Sequence, residues 1–367
     1  MSCRKPYNPP AINAPGSYLV VEGVINAGSD STTIMLSKTV SLSSTPTVAP
    51  VTGAIVTVLR DDNISYPLAE TGNGNYASPG LNLDNTHQYR LNIKTTDGQQ
   101  YQSDPEPVLI TPPIDSVGFN IVSQPSTGIQ IYANTHDPSG AVKYYRWSYT
   151  ENWEFNAYYP SSYISNGTAI VPRTLGQQVS PCYSSDVSSN IVLGSSAKLS
   201  QAVINHSPIT FLSSTSEKIE DRYRILVNQY ALSGDAYSFW ESLRTNTEQL
   251  GSIFDAQPST SPGNIHCVNN PAEPVLGYIS VCTVTTRTLF LYNYNLPAWV
   301  PTYPYQCEQD TAYFGTGNYI ALVEGTTSEL ATSQLTKQGV VVGYLFSSPP
   351  CADCTIRGTI NPPPFWQ

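Results

Sequence analysis

Apolar and polar positions alternate along much of this chain. Between Gly53 and Leu59, Ala54, Val56 and Val58 fall on one face of an extended segment. Between Gln88 and Lys94, Tyr89, Leu91 and Ile93 do the same. A period of two marks a strand with one buried face. Tyr18–Ile25 and Thr33–Leu36 add two more such runs. Turn-forming clusters separate them: Asn26-Ala27-Gly28, Asp61-Asp62-Asn63, Pro79-Gly80 and Asp97-Gly98, the last a strong hairpin signal. Short strands with regularly spaced turns predict an Ig- or transthyretin-like β-sandwich over residues 17–112.

Thr111-Pro112-Pro113 interrupts this rhythm and predicts a boundary. Residues 113–350 then read as a larger β-rich domain, with strands at Ile129–Ala133, Tyr144–Tyr149, Tyr223–Ala231, Val275–Tyr292 and Gly339–Phe346. One segment changes period. Ala236, Trp240, Leu243, Thr247 and Leu250 recur at spacings of three and four, after Ser233 as N-cap and before Gly251. This predicts one prominent helix near 234–250, with Trp240 in the middle of its buried stripe. Phe254–Asn264 reads as a loop. Residues 1–16, with Pro6, Pro9, Pro10 and Pro15, read as an extended stalk, and residues 351–367 as a Pro-rich tail. The expected class is mainly β.

Composition narrows the setting. Only 12% of the 367 residues are charged, whereas Tyr reaches 25 copies. Such a surface is solvated by hydroxyls and amides, as in many secreted β proteins. The net charge is -10, and the 17 Lys and Arg residues are scattered, so no row of phosphates would be neutralised and nucleic acid is not an expected partner. No apolar run approaches the roughly 20 residues that span a bilayer as a helix.

Seven cysteines add a constraint. Cys3 stands alone near the start. Cys182, Cys267, Cys282, Cys307, Cys351 and Cys354 are disulfide candidates, and six cysteines allow 15 connectivities. Cys351 with Cys354 is the expected local pair. A hairpin centred near Pro271 would set Cys267 opposite Val275, so Cys267 is not expected to pair with Cys282. Cys351-Ala352-Asp353-Cys354 lies between prolines and Thr355-Ile356-Arg357-Gly358, not at the start of a helix beside a strand, so redox catalysis is not expected. No set of soft ligands is patterned for zinc, and no metal is expected.

A catalytic constellation is also missing from the sequence. His87, His136, His206 and His266 are not spaced as a helical metal pair. Gly315-Thr316-Gly317-Asn318 lacks the Lys of a phosphate loop. Trp153-Glu154-Phe155 offers an acid between aromatics, but strand alternation would turn Glu154 outward. No enzyme activity and no cofactor are expected. Aromatic density is the better lead. Tyr144, Tyr145, Trp147, Tyr149, Trp153, Tyr158, Tyr159 and Tyr163 crowd one stretch, where alternate positions suit core packing. Trp299, Tyr303 and Tyr305 lie among Pro297, Pro301 and Pro304. A proline-stiffened loop holds aromatics out of a sheet, so these three are the candidate anchors for a glycan or a peptide, with core burial as the alternative for Tyr303 and Tyr305.

Several stretches carry a family resemblance: Cys-Arg-Lys-Pro-Tyr at 3–7, Leu-Val-Val-Glu-Gly at 19–23, Gly-Ala-Ile-Val-Thr-Val at 53–58, Tyr-Tyr-Arg-Trp at 144–147, Asn-Trp-Glu-Phe at 152–155, Gly-Asn-Ile-His-Cys at 263–267 and the end from Cys351 to Trp366. The chain resembles a family of Bacteroidota outer-membrane surface lipoproteins whose genes often sit beside a SusC-like TonB-dependent receptor. The resemblance implies a lipid on Cys3, where Ser2 is the small residue such a junction uses. It implies a place at the cell surface and partners in a SusC-like receptor, a SusD-like lipoprotein, or both. The expected role is that of an accessory subunit of a nutrient-uptake complex. The alternative is a free-standing glycan- or peptide-binding module.

Overall fold

The computed structural model describes residues 18–40, 49–248 and 263–366. Cys3 and the stalk, Leu250 and Gly251, and the loop over 254–262 lie outside the described residues. The chain is mainly β and divides into two units. The first comprises Met1–Thr111, Val142–Tyr145 and Tyr230–Val284; the second comprises Pro112–Ala141, Arg146–Gln229 and Thr285–Gln367.

In the first unit the alternating segments form strands. Ile55–Arg60 pairs with Gln88–Lys94, placing Val56 opposite Ile93 and Val58 opposite Leu91. All four side chains are buried, with Tyr89, Leu36 and Ile34, in one apolar core. The turns behave as their residues require: Asn63 and Gly98 both take positive φ, at 70° and 87°. The sheet order begins at Ile265–Cys267, then runs through Gln100–Ser103, Gln88–Lys94, Ile55–Arg60, Ser65–Gly72, Asn75–Ser78, Thr32–Lys38 and Leu19–Asn26 to Val281–Cys282.

Both ends of that order come from one late segment: the chain does leave the first unit at Thr111, as the prolines predict, but it returns to it over Tyr230–Val284. The sandwich is not complete at residue 112. Ile265–Cys267 adds to Gln100–Ser103, and Ile25 and Asn26 pair in parallel with Val281 and Cys282. Asn264 fastens the segment to itself: its Oδ1 accepts from the Ile279 N–H at 2.8 Å, and its Nδ2 donates to the Ile279 carbonyl at 2.9 Å. Contacts so remote in sequence leave no periodicity to read.

Helix α1, Gly234–Glu248, belongs to the first unit as well. Ser233 caps it as expected, its Oγ accepting from the Ala236 N–H at 3.1 Å. Its packed face centres on Ala236, which is fully buried, whereas Trp240 and Leu243 are half-buried. Tyr237 packs on Tyr144 at 4.8 Å between ring centroids, and Phe239 on Tyr278 at 5.6 Å. Aromatic neighbours on both sides rotate the buried stripe away from the axis through Trp240.

The second unit holds smaller sheets. Ile114–Val122, Gly128–His136 and Val203–Ser213 form a three-stranded sheet. Tyr144–Phe155 lies between Cys182–Val187 and Arg222–Leu232, with Val284–Tyr292 beyond. A third sheet joins Asp310–Tyr313, Val340–Ser347 and Leu330–Lys337, and its core residues Ala312, Tyr344 and Phe346 cluster with Leu322 of helix α2, Gly317–Glu324. The Gly315–Asn318 stretch therefore turns into α2, with Thr316 as cap. Trp147, 1% exposed, donates from Nε1 to Gln229 Oε1 at 2.9 Å. The Gln229 amide donates to the Pro112 carbonyl and Thr135 Oγ1. A buried amide with its donors and acceptor matched adds no desolvation penalty.

Two disulfides correct the expected cysteine pairing. Cys182 joins Cys354, 172 residues away, and Cys307 joins Cys351, 44 residues away. Cys351 lies in the short helix α3, Pro349–Ala352, and Cys354 begins the separate 3-10 turn Cys354–Ile356, and each bonds to its own distant partner. Cys267 and Cys282 are buried thiols. The residues after 350 are consequently no loose tail. Thr359 exchanges two backbone hydrogen bonds with Tyr183, and Trp366 packs on Tyr183 at 5.5 Å.

Two measurements follow. Gly277 has φ near 140°, and a Cβ there would stand 2.2 Å from the Val21 carbonyl oxygen. Gly277→Ala should cost about 2–3 kcal/mol in urea unfolding, since strained backbone alone costs about 1–3. A loss under about 0.5 would show that the late segment does not close the sheet. Proteolytic mapping of the oxidised protein should recover 182–354 and 307–351 cross-linked peptides. Recovery of a 351–354 loop would overturn the pairing.

Candidate functional site

The sequence grouped Trp299, Tyr303 and Tyr305 as one set of exposed anchors. The structure separates them. All three are half-buried, and of them only Trp299 lines a groove. The groove has a volume of about 330 Å³ and belongs wholly to the second unit. Glu220, Asn293, Tyr294, Leu296 and Trp299 form its walls.

Two segments build it. The first follows Val284–Tyr292, where Asn293–Asn295 makes one 3-10 turn and Asn295 Oδ1 accepts from the Tyr292 N–H at 3.1 Å. This turn stacks Tyr292 and Tyr294 at 5.1 Å and 9°. Tyr294 remains 76% exposed. The second segment is the turn before Arg222–Leu232. Ser216 caps a short 3-10 helix at Glu217–Ile219, after which Glu220 and Asp221 face the first segment. The Asn293 N–H donates to the Asp221 carbonyl at 2.9 Å, and Asn293 Nδ2 donates to Asp221 Oδ1 at 3.2 Å. The walls are thus tied to each other before any ligand arrives.

Tyr303 acts from behind. Its hydroxyl donates to Glu220 Oε1 at 3.1 Å, while the Asn156 N–H donates to Oε2 at 3.2 Å. Burial pushes the Glu220 carboxyl above the usual carboxylate range, and these two donors oppose that shift. Burial also raises the Tyr303 hydroxyl, with the neighbouring Glu220 charge adding to it. Tyr303 packs edge-on against Tyr158 at 5.1 Å. Arg357 lies over the rings of Phe155, Tyr303 and Tyr305 and pairs with Glu217. Tyr303 and Tyr305 therefore position the groove wall and do not offer contact area.

Glu154 departs from expectation. It is 7% exposed and pairs with Arg222, instead of facing solvent. Tyr144–Phe155 is an inner strand of its sheet, so residues on both of its faces are covered at this end: Trp153, Glu154 and Phe155 are all buried. An acid held in an ion pair by Arg222 gives no open general acid. The aromatic crowd before it is core, with Tyr145, Trp147, Tyr149 and Trp153 all buried. Sequence reasoning placed Tyr294 in the aromatic crowd with Trp299 but not among the anchors, and it missed Glu220. Tyr292-x-Tyr294 after a strand was visible, but nothing local signalled that residue 220 would stand beside it.

Residues 4–288 match the model of a family described as a domain of unknown function, DUF4249. The chain belongs to this family. No curated protein matches it. The matched region ends before Asn293, so one wall of the groove lies beyond it.

The Glu220 carboxyl gives a test with a definite sign. Its folded pKa is raised, so its contribution to stability is complete below the unfolded carboxyl value and is lost as pH rises through the raised value. Glu220→Gln removes that dependence. The stability of the natural chain relative to the Gln variant should fall as pH increases from roughly 4 to 8. Urea midpoints across that range measure it, and a flat or rising difference would contradict the burial of this carboxyl.

Proposed function

We propose that this protein is a lipid-anchored binding subunit of the bacterial outer membrane, accessory to a SusC-like TonB-dependent receptor, and that the groove at Trp299 and Tyr294 holds its ligand. The observation that carries the binding role is the groove itself. The exposed ring of Tyr294 and the half-buried ring of Trp299, on a segment already fixed by hydrogen bonds, supply contact area without the ordering cost of a mobile loop. Trp and Tyr are the residue types that dominate binding hot spots. The two disulfides support an oxidising compartment. The receptor and the Cys3 anchor rest on the family resemblance. Binding without turnover fits the ion-paired state of Glu154 and the neutral donors around Glu220.

Recovery of the tagged protein from native outer membranes tests this role. A barrel receptor should come with it, and Cys3→Ala should move the protein to the soluble fraction without changing its thermal midpoint. Replacing Tyr294 and Trp299 by Ala should leave the fold intact and weaken capture of peptide or glycan ligands at least tenfold. Ligand binding without any barrel partner would instead identify a free-standing module. Intact binding in the double variant would remove the groove from the mechanism.

A further inference from the structure

The ligand class of the groove follows from a local imbalance of charge. Three basic residues lie in or near the turn at 217–222, and each faces a carboxylate other than Glu220. Lys218 pairs with Glu151 and Asp186, Arg222 with Glu154, and Arg357 with Glu217. Glu220 and Asp221 enter no ion pair among the described residues. Glu220 takes hydrogen bonds from Tyr303 and the Asn156 N–H, and Asp221 from the Asn156 and Asn293 amides. These donors are all neutral. Glu220 is also the one charged residue that lines the groove, whose lining includes Tyr294 and Trp299.

We infer that the groove receives an organic ammonium group, with Glu220 as counter-ion and Trp299 and Tyr294 as the aromatic walls. The inference rests on the groove being the ligand site. A carboxylate beside electron-rich ring faces is the arrangement that attracts a cation most strongly. An acidic glycan or a phosphate would meet Glu220 and Asp221 as like charges, and no basic side chain lines the groove to offset them. A neutral guest would leave the carboxylate desolvated without a charge to face. Burial already disfavours the ionised form of Glu220, and an ammonium group seated against it reverses that cost.

A ligand-observed NMR titration of the full chain tests this with defined probes: a capped Gly-Lys-Gly peptide, the same peptide with norleucine for lysine, and n-butylammonium. The lysine peptide should bind at least tenfold more tightly than its uncharged counterpart, and 0.5 M salt should narrow the gap. Glu220→Gln should cost the lysine peptide at least tenfold and leave the norleucine peptide unchanged. Butylammonium binding as well as the lysine peptide would identify a small amine as the source, and weaker binding a peptide side chain. Equal binding of the lysine and norleucine peptides, or no binding of either cation, overturns the inference. Because that comparison uses the natural chain, a misfolded variant does not decide it. Recovery of a membrane complex that still depends on Trp299 would then leave the binding role standing and remove only the ammonium.

Discussion

Cys351 and Cys354, three positions apart, are each bonded to a different distant segment. Much of the second unit depends on that double constraint. In the chain-entropy description, closing a loop the length of the 182–354 link removes roughly 5 kcal/mol of unfolded-state entropy, and the 307–351 loop roughly 4. The loops are nested, so the two contributions do not simply add. Their structural effect is to seat the residues that follow. Arg357 comes to Glu217 and covers Phe155, Tyr303 and Tyr305. Glu217 begins the turn that ends in Glu220 and Asp221, so the covalent strap and the groove wall are connected by one ion pair.

The turn at 216–222 is held by an unusual share of charge for a chain with so few charged residues. Glu151 is buried and meets both Lys218 and the Tyr223 hydroxyl, the latter at 2.6 Å. Glu154 meets Arg222, and Arg224 reaches Asn152 at 2.9 Å. Desolvating such pairs cancels much of their attraction, so they add little net stability. Breaking one is costly, because the remaining charge stays buried. The pairs therefore select one register between Tyr144–Phe155 and Arg222–Leu232. Asp221, next to Arg222, is tied to Asn293 by two hydrogen bonds, which joins this strand pair to the groove wall.

Most of the first unit was legible in the sequence because its information is local. Val56, Val58, Leu91 and Ile93 declare their face through alternation, and Asn63 and Gly98 declare their turns. Ser233 declares the start of α1. The closing strands at Ile265–Cys267 and Val281–Cys282 were not legible as parts of that sandwich. They are three and two residues long, too short to show a period, and their partners lie more than 150 residues away. The spacing Ala236, Trp240, Leu243 puts Trp240 in the middle of the helical stripe, yet Trp240 is only half-buried. Ala236 is the fully buried member of that stripe, while the aromatic contacts of the helix run through its neighbours, Tyr237 on Tyr144 and Phe239 on Tyr278.

The loop around Pro301 shows how a correct principle led to an incomplete picture. Prolines do exclude this stretch from a sheet ladder, but they also favour extended backbone, and extended backbone alternates its side chains. From residue 301 to residue 310 burial alternates without a break, with Tyr303, Tyr305, Cys307 and Gln309 turned inward and Thr302, Pro304, Gln306 and Glu308 outward. Cys307 fixes which face is inner, because its disulfide to Cys351 ties that face to the strap. Tyr303 and Tyr305 share the parity of Cys307 and must turn inward with it. The spacing Tyr-x-Tyr-x-Cys thus held the answer: aromatics in phase with a bridged cysteine pack behind a wall. The site's exposed ring is Tyr294, placed before the extended stretch begins, where the turn at Asn293–Asn295 breaks the alternation and releases a side chain to solvent.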